Sequence, residues 1–282
     1  MDEKGLGKQL QEARQKAGLT QQQLCHHANL SFSTLTKIER GAIKSPSIFT
    51  VQPIARALGV GLDELLGAIS PALPARNLKQ TRSGVKFVYF DVNGCLVHFY
   101  QRAFAQLAKE TGAPADVVES AFWQYNDDAC RGIITLTDFN AKLADRLGVD
   151  SVDWQRHYLD TVEPILEMQE LLGWASENYK FGLLTNIMPG MVRAMRRDDK
   201  LPDLPYDAII DSSEVAAIKP ESKVYEIAQE RAGVEASEIL LIDDSRVNLM
   251  AAERLGWHVL WFDDARPEEA VERVRDALQP AD

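Results

Sequence analysis

The sequence predicts two domains of different class: an all-α domain over residues 1–68 and, after a linker at 69–84, an α/β domain over 85–282 with a parallel sheet and a helical cap. Three observations lead there. Short apolar-striped segments, opened by capping residues and closed by glycine, fill the first 68 residues. Beyond residue 84, five short β-branched apolar runs alternate with amphipathic stretches, the pattern of strands that crossover helices bury on both faces. Between the first two runs, residues 97–170 carry no strand pattern. With 282 residues, 45% hydrophobic and 26% charged, the chain can build two cores, and its composition sets aside disordered and fibrous classes.

The first helix is expected at about 4–17, where Leu6, Leu10, Ala13 and Ala17 share a stripe and Gly18 stops it. Thr20 and Gln23 spell a capping box, in which each side chain accepts from the other's backbone amide. Leu19 and Leu24 staple that cap. Leu30, Ser31 and Leu35 repeat the grammar, so another short helix should start at Ser31 and run to Glu39 before Gly41. A third segment, Ser47 to Leu58, contains Pro53, whose missing amide predicts a bend or break at Gln52. A last short helix is expected from Leu62 to Leu66.

The stretch SPALPARNLKQTRSG, ending at Gly84, mixes breakers with polar and basic residues and reads as linker. Strands are expected at Val85 to Phe90, Phe181 to Leu184, Asp207 to Ile210, Ile239 to Ile242 and His258 to Phe262, with helices such as Val224 to Ala232 and Leu249 to Leu255 between them. The cap, about 97–170, should bury Phe104, Leu107, Phe122, Trp123, Phe139, Leu143 and Leu147. Polar clusters follow the strands: Asp91 to Asn93, Thr185-Asn186, Lys219-Pro220 before a helix, and Asp243-Asp244. Carboxyl ends of parallel strands open on one crevice, so these clusters should converge.

Charge is unevenly spread. Residues 1–84 hold 11 Lys and Arg against 6 Asp and Glu, a net +5, while 85–282 hold 20 against 36, a net −16. A basic segment on an acidic body suggests polyanion binding confined to the first domain. Three cysteines without CxxC spacing argue against a disulfide framework or zinc knot and are expected to be reduced. No run approaches 18 apolar residues and MDEKGLGKQL lacks a signal-peptide core, so no membrane partner is expected and the location is expected to be cytoplasmic.

Residues 6–66 resemble the Cro/C1-type (XRE) helix-turn-helix family, on Leu19-Thr20-Gln21, Leu24, Ala28, Ser31, Ile38-Glu39-Arg40-Gly41, Pro46-Ser47 and Ala57-Leu58-Gly59-Val60. A groove about 12 Å wide admits a short helix that is apolar on one side only. The segment after Ser31 fits, with Leu35 and Ile38 inward and Phe32, Ser33, Thr36 and Lys37 outward. The resemblance implies base reading by those four residues on a double-stranded DNA operator, with phosphate contacts near Gln21, Arg40 and Lys44. Phe32 either meets a thymine methyl or packs on the preceding helix. Cys25-His26-His27 does not suit one metal ion, because neighbouring helical side chains diverge by about 100°. A single module makes few contacts, so a homodimer on a two-fold site is expected.

The ordered quartet Asp91-Val92-Asn93-Gly94, Thr185-Asn186, Lys219-Pro220 and Asp243-Asp244 resembles the haloacid dehalogenase (HAD) superfamily over residues 85–265, whose fold is Rossmann-like with a small cap after the first strand. The resemblance implies that Asp91 is a nucleophile, that Thr185 and Asn186 hold the oxygens of the transferred group, and that Lys219 neutralises charge near Asp91. It implies Mg²⁺ on Asp244, Asp91 and the backbone carbonyl of Asn93, with Asp243 nearby. Clustered carboxylates need such a cation.

One departure dominates. Where phosphatase members carry a second aspartate two residues after the nucleophile, this chain has Asn93, and where many carry a later aspartate it has Asn248. An amide neither protonates a leaving group nor activates water, a loss of about 10² to 10⁴ in rate. The leading expectation is therefore a DNA-binding regulator whose HAD-like domain binds Mg²⁺ and a phosphorylated small molecule or phosphate as effector, with weak or absent hydrolase activity. The alternative is a bifunctional phosphatase that also binds DNA. A dehalogenase is disfavoured by Asp243-Asp244, and a third reading makes the basic module a protein- or RNA-binding element. Trp123, Tyr125, Arg131 and Trp154 are candidates for either pocket lining or cap core.

Overall fold

The computed structural model describes residues 5–17, 19–43, 46–58, 78–98 and 100–280. The chain divides into two compact units, residues 1–75 and 76–282.

The first unit contains α1 (Gly5–Lys16), α2 (Gln21–His27), α3 (Phe32–Glu39) and α4 (Ile48–Leu58). Each predicted cap forms. The Gln23 amide donates to Thr20 Oγ1 at 3.2 Å and the Thr20 amide to Gln23 Oε1 at 2.9 Å; the Thr34 amide donates to Ser31 Oγ at 3.1 Å. Leu10, Leu24, Leu35, Ile38, Val51 and Ile54 close the core. At Gly7, a Cβ would lie 2.5 Å from the Ile38 carbonyl, so α1 meets the end of α3 through bare backbone. Of the bend or break expected at Gln52, the break does not occur: one helix runs through Pro53. Proline removes one hydrogen bond there, and Val51, Ile54 and Ala55 bury the face that holds the helix in place. Residues 62–66 and Lys44 lie outside the described residues.

A buried ion pair ties this unit together. Arg14 Nε donates to Glu39 Oε1 at 2.7 Å, its Nη1 to the Leu19 carbonyl at 2.9 Å, and Gln21 Nε2 to Glu39 Oε2 at 2.6 Å. Removing one member of a buried pair strands the other charge at a cost of about 3–5 kcal/mol. Arg14→Ala is therefore expected to lower the stability of this unit by about 3 kcal/mol, read as faster hydrogen exchange at the Leu35 and Ile38 amides.

The second unit is a five-stranded sheet of β1 (Phe87–Phe90), β2 (Lys180–Thr185), β3 (Ala208–Asp211), β4 (Ile239–Asp243) and β5 (His258–Trp261), all parallel in the order β3-β2-β1-β4-β5. All five predicted strands are present. Central β1 explains the unbroken apolar run: Val88 and Phe90 face one core, Phe87 and Tyr89 the other. Gly182 is required where β2 passes β3, since a Cβ would stand 2.3 Å from the Ala208 carbonyl.

Four cap helices, α5 (Gln101–Thr111), α6 (Ala115–Cys130), α7 (Leu136–Leu147) and α8 (Trp154–Thr161), follow β1. The cap leaves and rejoins the core where Val97 bridges Pro164, flanked by bonds from His98 to Glu163 and from Ile165 to Leu96. Its boundary is thus near 164 rather than 170. The next helix, α9 (Leu166–Asn178), packs on β2 and on the C-terminal α14 (Pro267–Ala277) and belongs to the core. Of the expected cap core, Phe104, Leu107, Phe122, Phe139 and Leu143 are buried and Leu147 partly so. Trp123 is 41% exposed, its indole donating to Glu119 Oε1 on its own helix.

The crossover helices of the core are α10 (Met191–Arg197), α11 (Ser212–Val215), α12 (Ser222–Ala232) and α13 (Arg246–Arg254). The last part of the expected linker is packed rather than free. The Lys79 amide donates to the Asn178 carbonyl at 2.7 Å, Thr81 bridges Pro280, and the buried Thr81 hydroxyl accepts from the Val85 amide at 3.0 Å. No helix among the described residues is long and apolar enough to cross a membrane.

Candidate functional site

The strand ends converge. Phe90 pairs with Leu183 on one side and Ile242 on the other, which puts Asp91, Thr185 and Asp243 at one end of three adjacent strands. Lys219, delivered by the loop before α12 and followed by a cis peptide to Pro220, places Nζ 2.9 Å from Asp91 Oδ2 and 2.6 Å from Asp243 Oδ2. All three side chains are buried. Asp243 also accepts from the Ser245 amide at 2.8 Å and from Asn248 Nδ2 at 3.1 Å, so the amide at 248 solvates a carboxylate where another acid would repel it.

Asp91, Asp243 and Asp244 bring one oxygen each to within 4.8 Å of one another. One lysine cannot balance them. Burial pushes the Asp91 carboxyl up, Lys219 pulls it down, and Asp243 and Asp244 push it up again, to about 8. Burial and then Asp243 raise Asp244 to about 6 against the pull of Lys219. Burial alone would lower Lys219, but Asp243 and Asp91 reverse this and hold its ammonium above the ordinary range. Three hard oxygen donors with excess negative charge fit a divalent cation such as Mg²⁺. Gly94 makes the cluster possible: at φ +83° it turns the chain beneath Asp244, and a Cβ would sit 2.3 Å from Asp244 Oδ2. At the end of β2, Thr185 Oγ1 is buried with no hydrogen-bond partner, a donor left available for an anion.

Asn186 differs from its expected place. Its side chain accepts from the Lys219 amide at 2.7 Å and donates to the Lys219 carbonyl at 2.8 Å, pinning the lysine loop instead of presenting that amide to a ligand.

Asn93 is 5% exposed and locked between two cap phenols. Its Nδ2 donates to the Tyr100 hydroxyl at 3.1 Å, and the Tyr158 hydroxyl donates to its Oδ1 at 2.6 Å. Burial raises both phenols, so they stay protonated and are poor acids. Neither tyrosine is singled out by the sequence. None of the cap candidates is bonded to Asn93. Trp154 is buried against Phe122 with its ring 5.8 Å from Tyr100, Tyr125 lies under Lys142, Trp123 is half-exposed with its ring 5.0 Å from Phe122, and Arg131 bonds Glu221 at 2.6 Å across the cap–core seam.

In the first unit Leu35 and Ile38 are buried, while Phe32 is 50% exposed and Ser33, Lys37 and Arg40 are exposed. Thr36 turns its hydroxyl into a buried position without a partner, and Gln21 is held by Glu39, so these two present less to a partner than their places on the helices predict. His26 and His27 are exposed beside buried Cys25.

A capped, parallel-sheet α/β domain with carboxylates and one lysine at its strand ends, preceded by a capped-helix domain with an exposed recognition face, defines the class. The haloacid dehalogenase-like hydrolase family matches residues 85–256 and the chain belongs to it; the helix-turn-helix family matches residues 10–65. Acyl-CoA dehydrogenase family member 10 of Mus musculus is 24% identical over 216 residues, 71% of this chain but 20% of that relative, so the chain spans about a fifth of its length. A predicted HAD-like family hydrolase from Porphyromonas gingivalis superposes with TM-score 0.57 at 22% identity, over 68% of this chain and 98% of the other. A HAD family enzyme from Bacteroides thetaiotaomicron, a mutant in complex with magnesium and inorganic phosphate, does so with TM-score 0.56 at 19% identity, over 64% and 94%. L-2-haloacid dehalogenase from Xanthobacter autotrophicus gives 0.52 at 22% identity, over 70% and 85%. These likenesses show a shared fold.

Proposed function

We propose that this chain is a DNA-binding regulator whose HAD-like domain binds Mg²⁺ and phosphate or a phosphorylated small molecule as effector, with little or no turnover. The observation that carries it is Asn93, an amide fixed between Tyr100 and Tyr158 where turnover needs a proton-shuttling carboxylate. Asp91, Asp244 and the Asn93 backbone carbonyl would hold Mg²⁺, with Asp243 nearby; the ion would offset the repulsion between carboxylates and a bound anion. Lys219 pairs with both Asp91 and Asp243, and the free Thr185 hydroxyl would donate to an anion oxygen. An anion that favours one of two states of the protein biases DNA binding without being consumed.

The bifunctional phosphatase stands as a second reading because Asp91 and Lys219 are assembled at 2.9 Å. Phosphate release from a panel of phosphomonoesters with Mg²⁺ separates the two: the regulator is expected to stay below about 1 s⁻¹, and faster turnover establishes the enzyme.

For the first unit, exposed Ser33, Lys37 and Arg40 favour a DNA duplex as partner. On an operator selected from random duplexes, Lys37→Ala is expected to weaken binding about tenfold, the loss of one base contact of roughly 1–3 kcal/mol. Fluorescence anisotropy checks this, and equal losses on unrelated duplexes would point to sequence-blind binding instead. Sedimentation equilibrium is expected to give a homodimer.

A further inference from the structure

The cap does more than sit beside the site; its closure is written into backbone spacing. Gly132, at φ +68°, brings the loop after α6 so near the core that a Cβ would stand 2.6 Å from the Ser213 carbonyl. Next to it, Ser212 Oγ donates to the Cys130 carbonyl at 2.6 Å, and Arg131 pairs with Glu221 two residues from Lys219. On the other side, Asn93 is tied to Tyr100 and Tyr158. Behind these phenols stands a packed aromatic wall: Tyr100 lies 5.2 Å from Phe122, 5.4 Å from Tyr158 and 5.8 Å from Trp154, centroid to centroid. Asp91, Thr185 and Lys219 are all buried.

From these contacts we infer that the closed cap restricts the site to a free tetrahedral oxyanion, inorganic phosphate first, and that Tyr158 and Tyr100 are the residues that exclude organic phosphomonoesters. The inference rests on the proposed anion-binding role of this site and narrows its ligand class. An ester carries a group on its fourth oxygen that must leave the carboxylate cluster toward the cap. There it meets two phenols already bonded to Asn93 and the aromatic rings packed against them. Free phosphate has no such group, and Lys219 with the unpartnered Thr185 hydroxyl supplies donors to its oxygens. A site that must discriminate a free anion from its esters gains by shutting tightly, since the penalty on the larger ligand is steric.

Titration calorimetry on the full chain with Mg²⁺ tests this, using inorganic phosphate, glycerol 3-phosphate and phenyl phosphate. Phosphate is expected to bind at least tenfold more tightly than either ester. Gly132→Val, at the cap–core seam, should hold the cap off the core and bring the esters to within threefold of phosphate. Tyr158→Phe, nearly isosteric, should narrow the same ratio by releasing Asn93, and it carries the test if the valine variant melts early. Esters binding the unaltered chain as well as phosphate would overturn the selectivity while leaving an anion site in place, as would an unchanged ratio in Tyr158→Phe. Absence of any binding, phosphate included, would instead remove the effector reading and this inference with it.

Discussion

Asn93→Asp is expected to accelerate oxygen exchange between ¹⁸O-labelled phosphate and water by about 10²- to 10⁴-fold, the usual worth of a general acid–base. The exchange requires Asp91 to displace water from phosphorus and water then to displace Asp91, and each direction needs a proton carrier beside the reacting oxygen. In the native chain the amide at 93 is too weak an acid and too weak a base to transfer a proton, and its oxygen and nitrogen are both engaged by tyrosines. An aspartate of the same shape would keep the bond from the Tyr158 hydroxyl and would be buried near Asp91 and Asp244. Burial and neighbouring carboxylates raise a carboxyl toward neutrality, which is where a general acid is effective. Mass spectrometry of the phosphate isotopologues reads the result. An unchanged rate would mean that the geometry around Asp91 is unsuited to chemistry for reasons beyond one residue.

Lys219→Met is expected to destabilise the second unit strongly. It leaves Asp91 and Asp243 buried without their shared cation, at a cost of about 3–5 kcal/mol. For a domain of this size each kcal/mol moves the melting temperature by roughly 2–4 °C, so a drop of about 10 °C is expected in EDTA. Mg²⁺ at a hundred times its dissociation constant adds about 2.7 kcal/mol and should recover much of that loss. Calorimetry with and without the ion checks both halves. A variant that melts within about 2 °C of the parent in EDTA would show that the lysine does not carry the carboxylates.

Much of this architecture is legible because local rules decide it. The five strands announce themselves as apolar runs since both faces of the sheet are covered, and the caps at Thr20 and Ser31 form because each needs only a neighbour three residues away. The four polar clusters converge because parallel strands point their carboxyl ends the same way. What stays hidden depends on distant partners. Tyr158 reaches Asn93 across 65 positions, and Arg14 reaches Glu39 across 25, without any periodicity to mark the pairing. The cap boundary is misplaced at 170 because α9 follows α8 after only four residues, and both are amphipathic; the bridge from Val97 to Pro164, not the sequence pattern, separates them. Pro53 predicts a bent or broken helix on the cost of an interior proline, and the buried face of α4 keeps the helix from breaking.

The placement of α9 has a mechanical corollary. This 13-residue rod, about 20 Å long at 1.5 Å per residue, begins at the seam through which the cap returns and ends at Asn178, whose carbonyl grips the backbone of Lys79. A helix transmits axial thrust with little give. The backbone at Lys79 is therefore held at the far end of a strut whose near end is the root of the cap, and any travel of that root is carried along the helix axis to that residue.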